Sequence, residues 1–178
     1  LSSSSAASDV YKRQGLTIPI FASMVTKIPV TKIVVGLLFH RIKKRAIFFL
    51  LMKLSGLQKT LKLNPVVGII NRSATAMTAH LDDLELQLEH SGGPWICGDQ
   101  FTLADVGMMV IFDRLREGDW LDLLVHQRPV LVDYWMVLQQ RPSYHSGCVS
   151  FAHPRVTEAT VELAALKQAG QWPSDIPR

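Results

Sequence analysis

Acidic side chains are missing from the first half of this sequence. Between Gly15 and Leu81 there is no Asp and no Glu, against ten basic residues: Lys27, Lys32, Arg41, Lys43, Lys44, Arg45, Lys53, Lys59, Lys62 and Arg72. From Asp82 onward the balance reverses, with 14 acidic and 7 basic residues. Such an asymmetry points to an interaction surface or to an internal electrostatic match between the halves. Cysteine is scarce as well. Cys97 and Cys148 lie far apart with no CxxC spacing, and the six histidines are scattered. This argues against a disulfide framework, and no metal site is expected. Two thiols outside such a framework fit a reducing compartment, so a cytoplasmic protein is expected. Long apolar runs are lacking too. Ile33 to Phe39 and Ala46 to Met52 fall far short of the roughly 20 residues that span a bilayer as a helix. No P-loop, dinucleotide-binding glycine fingerprint or Gly-x-Ser-x-Gly elbow occurs. The basic segment lacks the interleaved aromatics of single-strand binders, and nucleic acid is not an expected partner.

The chain opens on Leu1, and Ser4 to Gln14 match one reading frame of a transposase sequencing adapter at all eleven residues. Residues 1–14 are therefore set aside as a non-native leader. Residues 15–178 remain, one domain by length and long enough to bury a core. With 48% hydrophobic and 19% charged residues, it has the composition of a globular protein.

Pro19, Pro29, Gly36, Gly56 and Pro65 punctuate residues 15–64, so this irregular basic segment is expected as several short or kinked helices. From Val66 the pattern changes. Val66, Ile70, Ala74, Met77, Leu81, Leu84 and Leu88 recur every three or four residues, which predicts a helix of about six turns with one apolar stripe. Asn64-Pro65 supplies its start, Asn as cap, and Ser91-Gly92-Gly93-Pro94 its stop. A second helix is announced by Thr102 with Asp105 three residues later, a capping box in which each side chain bonds the other's backbone N–H. Phe101 and Val106 stand at the staple positions on either side of the cap. Val106 to Phe112 is apolar all round, which predicts a helix enclosed by neighbours, with Gly107 admitting one of them closely and burial ending near Phe112. Val130, Leu131, Tyr134, Trp135 and Leu138 mark a third helix, and Thr157 to Gln168 a last one. No segment keeps the two-residue alternation of a half-buried strand. The expected fold class is all-α.

Residues Pro94 to Asp105 resemble the loop and capping box that open the central helix of the glutathione transferase C-terminal domain. The run Pro129, Leu131, Tyr134, Trp135, Leu138, Arg141, Pro142 and Ser143 is similar to the helices that follow it in that family. The resemblance covers 66–146 well and 15–64 poorly. It implies a helical bundle of the glutathione transferase C-terminal domain type. The long basic stretch before Val66 departs from compact members and, with Trp95 to Gly98, resembles the ganglioside-induced differentiation-associated proteins; that second resemblance would imply membrane association.

The family resemblance also implies a chemistry. Members activate glutathione with a Ser, Cys or Tyr in a thioredoxin-like domain, which does not occur among these residues, so the chain by itself is expected to be inactive and no catalytic residue is assigned. The intact parent would use glutathione as cofactor, act on a small-molecule electrophile and form a homodimer. The helical domain would supply the wall of the electrophile pocket, for which Phe21, Met24, Met109, Phe112 and Arg114 are the candidates; core packing explains the Met and Phe residues equally well. Asp105 is assigned to the cap rather than to catalysis, and Asp82 and Asp83, adjacent on a helix, point to different sides. The segment 41–62, apolar runs beside Arg41, Lys43, Lys44, Arg45 and Lys53, suits an anionic membrane surface. A helical docking or membrane-associated scaffold without catalysis is the alternative role.

Overall fold

Helices account for almost every ordered stretch, in the order set by the punctuation of the sequence. The computed structural model describes residues 14–39 and 43–178. Residues 1–13, which hold nearly all of the adapter-like leader, and residues 40–42, which include Arg41, lie outside the described residues. A 3₁₀ turn, Gln14–Thr17, leads into α1 (Ile18–Lys27), α2 (Val30–Phe39), α3 (Lys43–Leu61), α4 (Asn64–Ser91), α5 (Leu103–Glu117), α6 (Leu121–Leu124), α7 (Pro129–Gln139), α8 (Pro142–Gly147) and α9 (Pro154–Gln168). No strand occurs among the described residues; the loop between α4 and α5 holds two isolated bridges, Trp95 to Gly98 and Cys97 to Gln100. The fold is all-α.

The stripe of α4 is buried as its spacing demands: Val66, Ile70, Ala74, Met77, Leu81, Leu84 and Leu88 all face the core, joined by Ser73. The helix is longer than the stripe, 28 residues, and its N-cap is Leu63, with Asn64 already inside the helix. The expectation of Asn64 as cap is therefore corrected by one residue: Leu63 holds extended backbone and offers no side-chain acceptor, and Pro65 fixes the first turn. Gly92 ends the helix at φ 70°, the left-handed conformation a Cβ disfavours.

Residues 15–64 are helical throughout most of their described length. Prolines set the starts, and Gly56, at φ 74° and ψ 169°, breaks α3 without ending it. The Thr60 hydroxyl donates to the Gly56 carbonyl at 2.8 Å, a side-chain contact across the kink. Helix α1 packs on α3 and α9, α2 packs on α3, and the first 3₁₀ turn packs on α4. The two charge regimes of the sequence meet at α1 and α9: Lys27 Nζ lies 3.1 Å from Glu162, which also accepts from the Ser23 hydroxyl at 2.6 Å. Lys53 is engaged differently, donating to the Thr26 carbonyl at the end of α1.

Helix α5 departs from its expectation in two ways. Its run Val106 to Phe112 is enclosed on one side only, with Val106, Gly107 and Val110 exposed, and a Cβ on Gly107 would meet nothing within 4 Å. Burial also continues past Phe112 through Asp113, Leu115, Glu117 and Trp120. Trp120 is fully buried and donates its indole N–H to the Leu16 carbonyl at 2.9 Å, tying the first turn to the end of α5. Its ring meets Trp172 edge-on at 5.8 Å, and Lys167 lies over both rings, so the C-terminal tail closes this end of the bundle.

The α4 stripe carries the core, so its centre should be the most sensitive to truncation. Leu81→Ala is expected to cost about 2 to 5 kcal/mol, while Leu86→Ala, on the exposed side of the same helix, should stay within about 0.5 kcal/mol. Urea unfolding of the two variants checks this, and equal midpoints would contradict the assignment.

Candidate functional site

The best-organised polar group is Asp105, fully buried at the third position of α5. Thr102 is the N-cap, extended at φ −126°; its hydroxyl accepts from the Ala104 N–H at 3.3 Å, and Asp105 Oδ2 accepts from the Thr102 N–H at 2.8 Å, so the capping box is formed. Oδ2 also accepts from the Thr102 hydroxyl at 3.1 Å. The second oxygen reaches beyond its own helix. Oδ1 accepts from the Ile96 N–H at 3.0 Å and from the Tyr134 hydroxyl at 2.9 Å. Burial pushes the Asp105 carboxyl up, but the donors from Ile96, Thr102 and Tyr134 outweigh it and hold the group below its ordinary value. Tyr134 moves the other way: burial, then the carboxylate it donates to, raises its hydroxyl far above the ordinary range. It stays protonated, a fixed donor.

Aromatic rings surround this carboxylate. Trp95 meets Phe101 edge-on at 5.0 Å and Tyr134 at 6.5 Å, and the Arg141 guanidinium lies 3.5 Å from the Phe101 centroid and 5.3 Å from that of Trp95. Phe101 is thus half-buried against Trp95 and Arg141, while Val106, its staple partner by position, is exposed.

A second polar cluster lies farther along α5. Asp113 Oδ1 accepts from Arg116 Nε at 2.9 Å and from the Tyr144 hydroxyl at 3.0 Å, and Arg114 pairs with the buried Glu117. Burial and the neighbouring Asp113 raise both the Tyr144 hydroxyl and the Cys148 thiol, so neither is an activated nucleophile. The expectation that burial ends near Phe112 leaves this cluster outside the core, whereas Asp113 and Glu117 are in fact buried. The signal was present: Asp113 to Arg116 and Arg114 to Glu117 are both at i, i+3, neighbouring positions on a helix.

The five pocket candidates do not share a cavity. Met109 and Phe112 are core side chains, and Phe112 stacks on Trp135 at 5.4 Å. Met24 is half-buried against the core, Phe21 is exposed on α1, and Arg114 is exposed and paired with Glu117. Two clefts open elsewhere. One, about 280 Å³, is lined by Asn71, Thr75 and Thr78 of α4, Leu124 of α6 and Pro177. The other, about 470 Å³, lies between Lys62 and the tail from Gly170 to Asp175. The open apolar surface belongs mostly to other residues: Leu103 is 87% and Val110 43% exposed on the face of α5 that ends at Arg114, opposite Met109 and Phe112, and of the five candidates only Phe21, 52% exposed on α1, is an apolar side chain turned outward.

Residues 72–144 match the family described as Glutathione S-transferase, C-terminal domain. That interval runs from within α4 to Tyr144 and contains the capping box, Tyr134 and the Asp113 cluster. Among curated proteins the chain is similar to glutathione S-transferase TCHQD of Arabidopsis thaliana, at 32% identity over 77 residues, 43% of this chain and 28% of that protein. The matched part therefore spans little more than a quarter of the relative's length. No solved structure matches the chain.

Two measurements test the Asp105 site. Thr102→Ala is expected to cost about 0.5 to 2 kcal/mol, and Asp105→Ala more, because it leaves the Ile96 N–H and the Tyr134 hydroxyl without their acceptor; Asp133→Ala, an exposed acid on α7, should change the unfolding midpoint little. The second is a pH titration of stability. Asp105 is held below the ordinary carboxyl value of 3.8, so its contribution is complete above that pH and is lost as the pH falls through the lowered folded value. The acid limb of the stability curve should be shallower in Asp105→Asn than in the unaltered chain, and parallel limbs would show that Asp105 is not the group responsible.

Proposed function

We propose, from the premise that residues 72–144 form a glutathione transferase-like C-terminal domain, that this chain is the part of a glutathione transferase that receives the electrophile. In this reading the parent protein conjugates or reduces electrophilic small molecules with glutathione, and the tripeptide and its thiol-activating residue are held mainly outside residues 15–178. The observation that carries the reading is the two-sided packing of α5. One side locks into the core through Asp105, Met109 and Phe112, while the apolar side with Leu103 and Val110 is open, bordered by the cationic Arg114. An open apolar face suits an electrophile with an apolar body. Phe21 and Met24 on α1 are the further wall residues of the proposal. The ionisable groups of the described half-buried and buried clusters support a binding role rather than a catalytic one: Asp105, Asp113 and Glu117 are all engaged by donors, and Tyr134 and Tyr144 are held protonated.

Two experiments bear on this. Titration calorimetry of glutathione into residues 15–178 should show no saturable binding at sub-millimolar affinity, and the chain alone should be silent in a conjugation assay; a sub-millimolar site would overturn the placement of glutathione. In the parent protein, Phe21→Ala and Met24→Ala should raise KM for the electrophile several-fold and leave KM for glutathione unchanged. Equal effects on both substrates would remove these residues from the wall, and a parent without turnover on any electrophile would favour the scaffold role.

A further inference from the structure

Helices α2 and α3 carry apolar stripes that face solvent. On α2, Val30 and Val34 are one turn apart and both exposed, as is Val35, while Ile33 is buried. On α3, Ile47, Leu51 and Leu54 recur at i, i+4 and i+7 and are all exposed, Leu54 at 71% and Leu51 at 56%. In a helix of a globular domain that spacing marks the side turned to the core. Here the core takes Met52 instead, and the stripe is left outward. Because α2 packs on α3, and α3 on α1, both stripes sit on one helical pair.

The charge around this pair has one sign. Arg41, Lys43, Lys44 and Arg45 cluster in the sequence between the two apolar stretches, Lys32 is exposed on α2, and no acidic residue occurs from Gly15 to Leu81. Lys53 is set apart, since it is bound to the Thr26 carbonyl. An apolar protein partner would account for the stripes but would not require the absence of carboxylates over the whole segment. An anionic lipid surface accounts for both: apolar side chains enter the boundary between headgroups and acyl chains, Lys and Arg remain at the level of the phosphates, and any carboxylate would be repelled. No helix of the described residues is long and apolar enough to cross a membrane, so the contact is a surface one. We propose that the α2–α3 pair docks this protein on anionic membrane surfaces, with Val34, Val35, Leu51 and Leu54 inserted and Lys32 at the headgroups.

Flotation with vesicles of phosphatidylcholine, with and without phosphatidylserine, tests this on the full chain. Binding is expected to require phosphatidylserine and to fall as salt is raised. Lys32→Gln should weaken it about fivefold, the equivalent of the ~1 kcal/mol that one basic residue contributes near an anionic surface. The double variant Leu51→Gln, Leu54→Gln should weaken it at least about tenfold, with unchanged helical circular dichroism, while Leu86→Gln, equally exposed on α4, should bind as the unaltered chain does. Equal binding to neutral vesicles, no binding to either, or full binding by the Leu51, Leu54 variant would each overturn the proposal. So would loss of self-association rather than of flotation in that variant, which would make a second copy the occupant of the stripes.

Discussion

A buried carboxylate organises the stretch from the loop after α4 to α7. Moving an isolated ionised Asp out of water costs far more than one helix cap returns, so Asp105 is tolerated only because its donors come from three places at once. The Thr102 N–H and hydroxyl belong to the cap, the Ile96 N–H to the loop after α4, and the Tyr134 hydroxyl to α7. Each donor is satisfied only if its segment stands in the right place, so the position of the loop, the start of α5 and the angle of α7 are determined together. The short side chain matters. A Glu at this position would carry the carboxylate one carbon farther from the helix, away from the geometry in which one oxygen serves the cap and the other reaches Ile96 and Tyr134.

The rings around Asp105 extend the same constraint. Trp95 and Phe101 come from the loop, Tyr134 from α7, and Arg141 from the start of α8, and they pack on one another as edges and faces. Phe112 continues the chain of contacts to Tyr134 and Trp135, and Trp135 to Tyr144. Tyr144 then donates to Asp113. Asp105 and Asp113 of α5 are thus joined through aromatic side chains of α7 and α8, which places these acids in the scaffold. Function is left to the surfaces that the scaffold holds open.

How far this was legible in the sequence differs helix by helix, for physical reasons. Helix α4 was legible because apolar and polar residues alternate at helical spacing, so the buried side is written in the pattern. The cap of α5 was legible because Thr102 and Asp105 need only local geometry to meet. The enclosure of α5 was not, since a run that is apolar on every side has no preferred face; Met109 and Phe112 go inward and Val106 and Val110 outward because of what packs there, which is tertiary information. Asp113 and Glu117 were hidden for the opposite reason: acids on a helix resemble a solvated face until Arg116, Arg114 and Tyr144 are seen to cover them. The candidate site was the least legible part. Phe21, Met24, Met109, Phe112 and Arg114 have residue types that suit a pocket wall, and residue type does not say which of them share a surface.

The uneven distribution of charge has a structural and a surplus component. Part of it is consumed inside the fold, where Lys27 of α1 meets Glu162 of α9 and Lys53 binds the end of α1. Among the described residues, those contacts engage Lys27 and Lys53. Five of the 14 acids of the second half are met by basic residues of that same half: Arg128 lies against Asp82 and Glu85, Arg116 against Asp113, Arg114 against Glu117 and Lys167 against Asp119. Among the described residues the contact across the halves runs from Lys27 to Glu162, and the sequence of the first half offers no carboxylate of its own to neutralise its basic residues. A segment that gains little from internal pairing, and that also turns Val35, Leu51 and Leu54 to water, is arranged for contact with something outside the domain rather than for the stability of the domain itself.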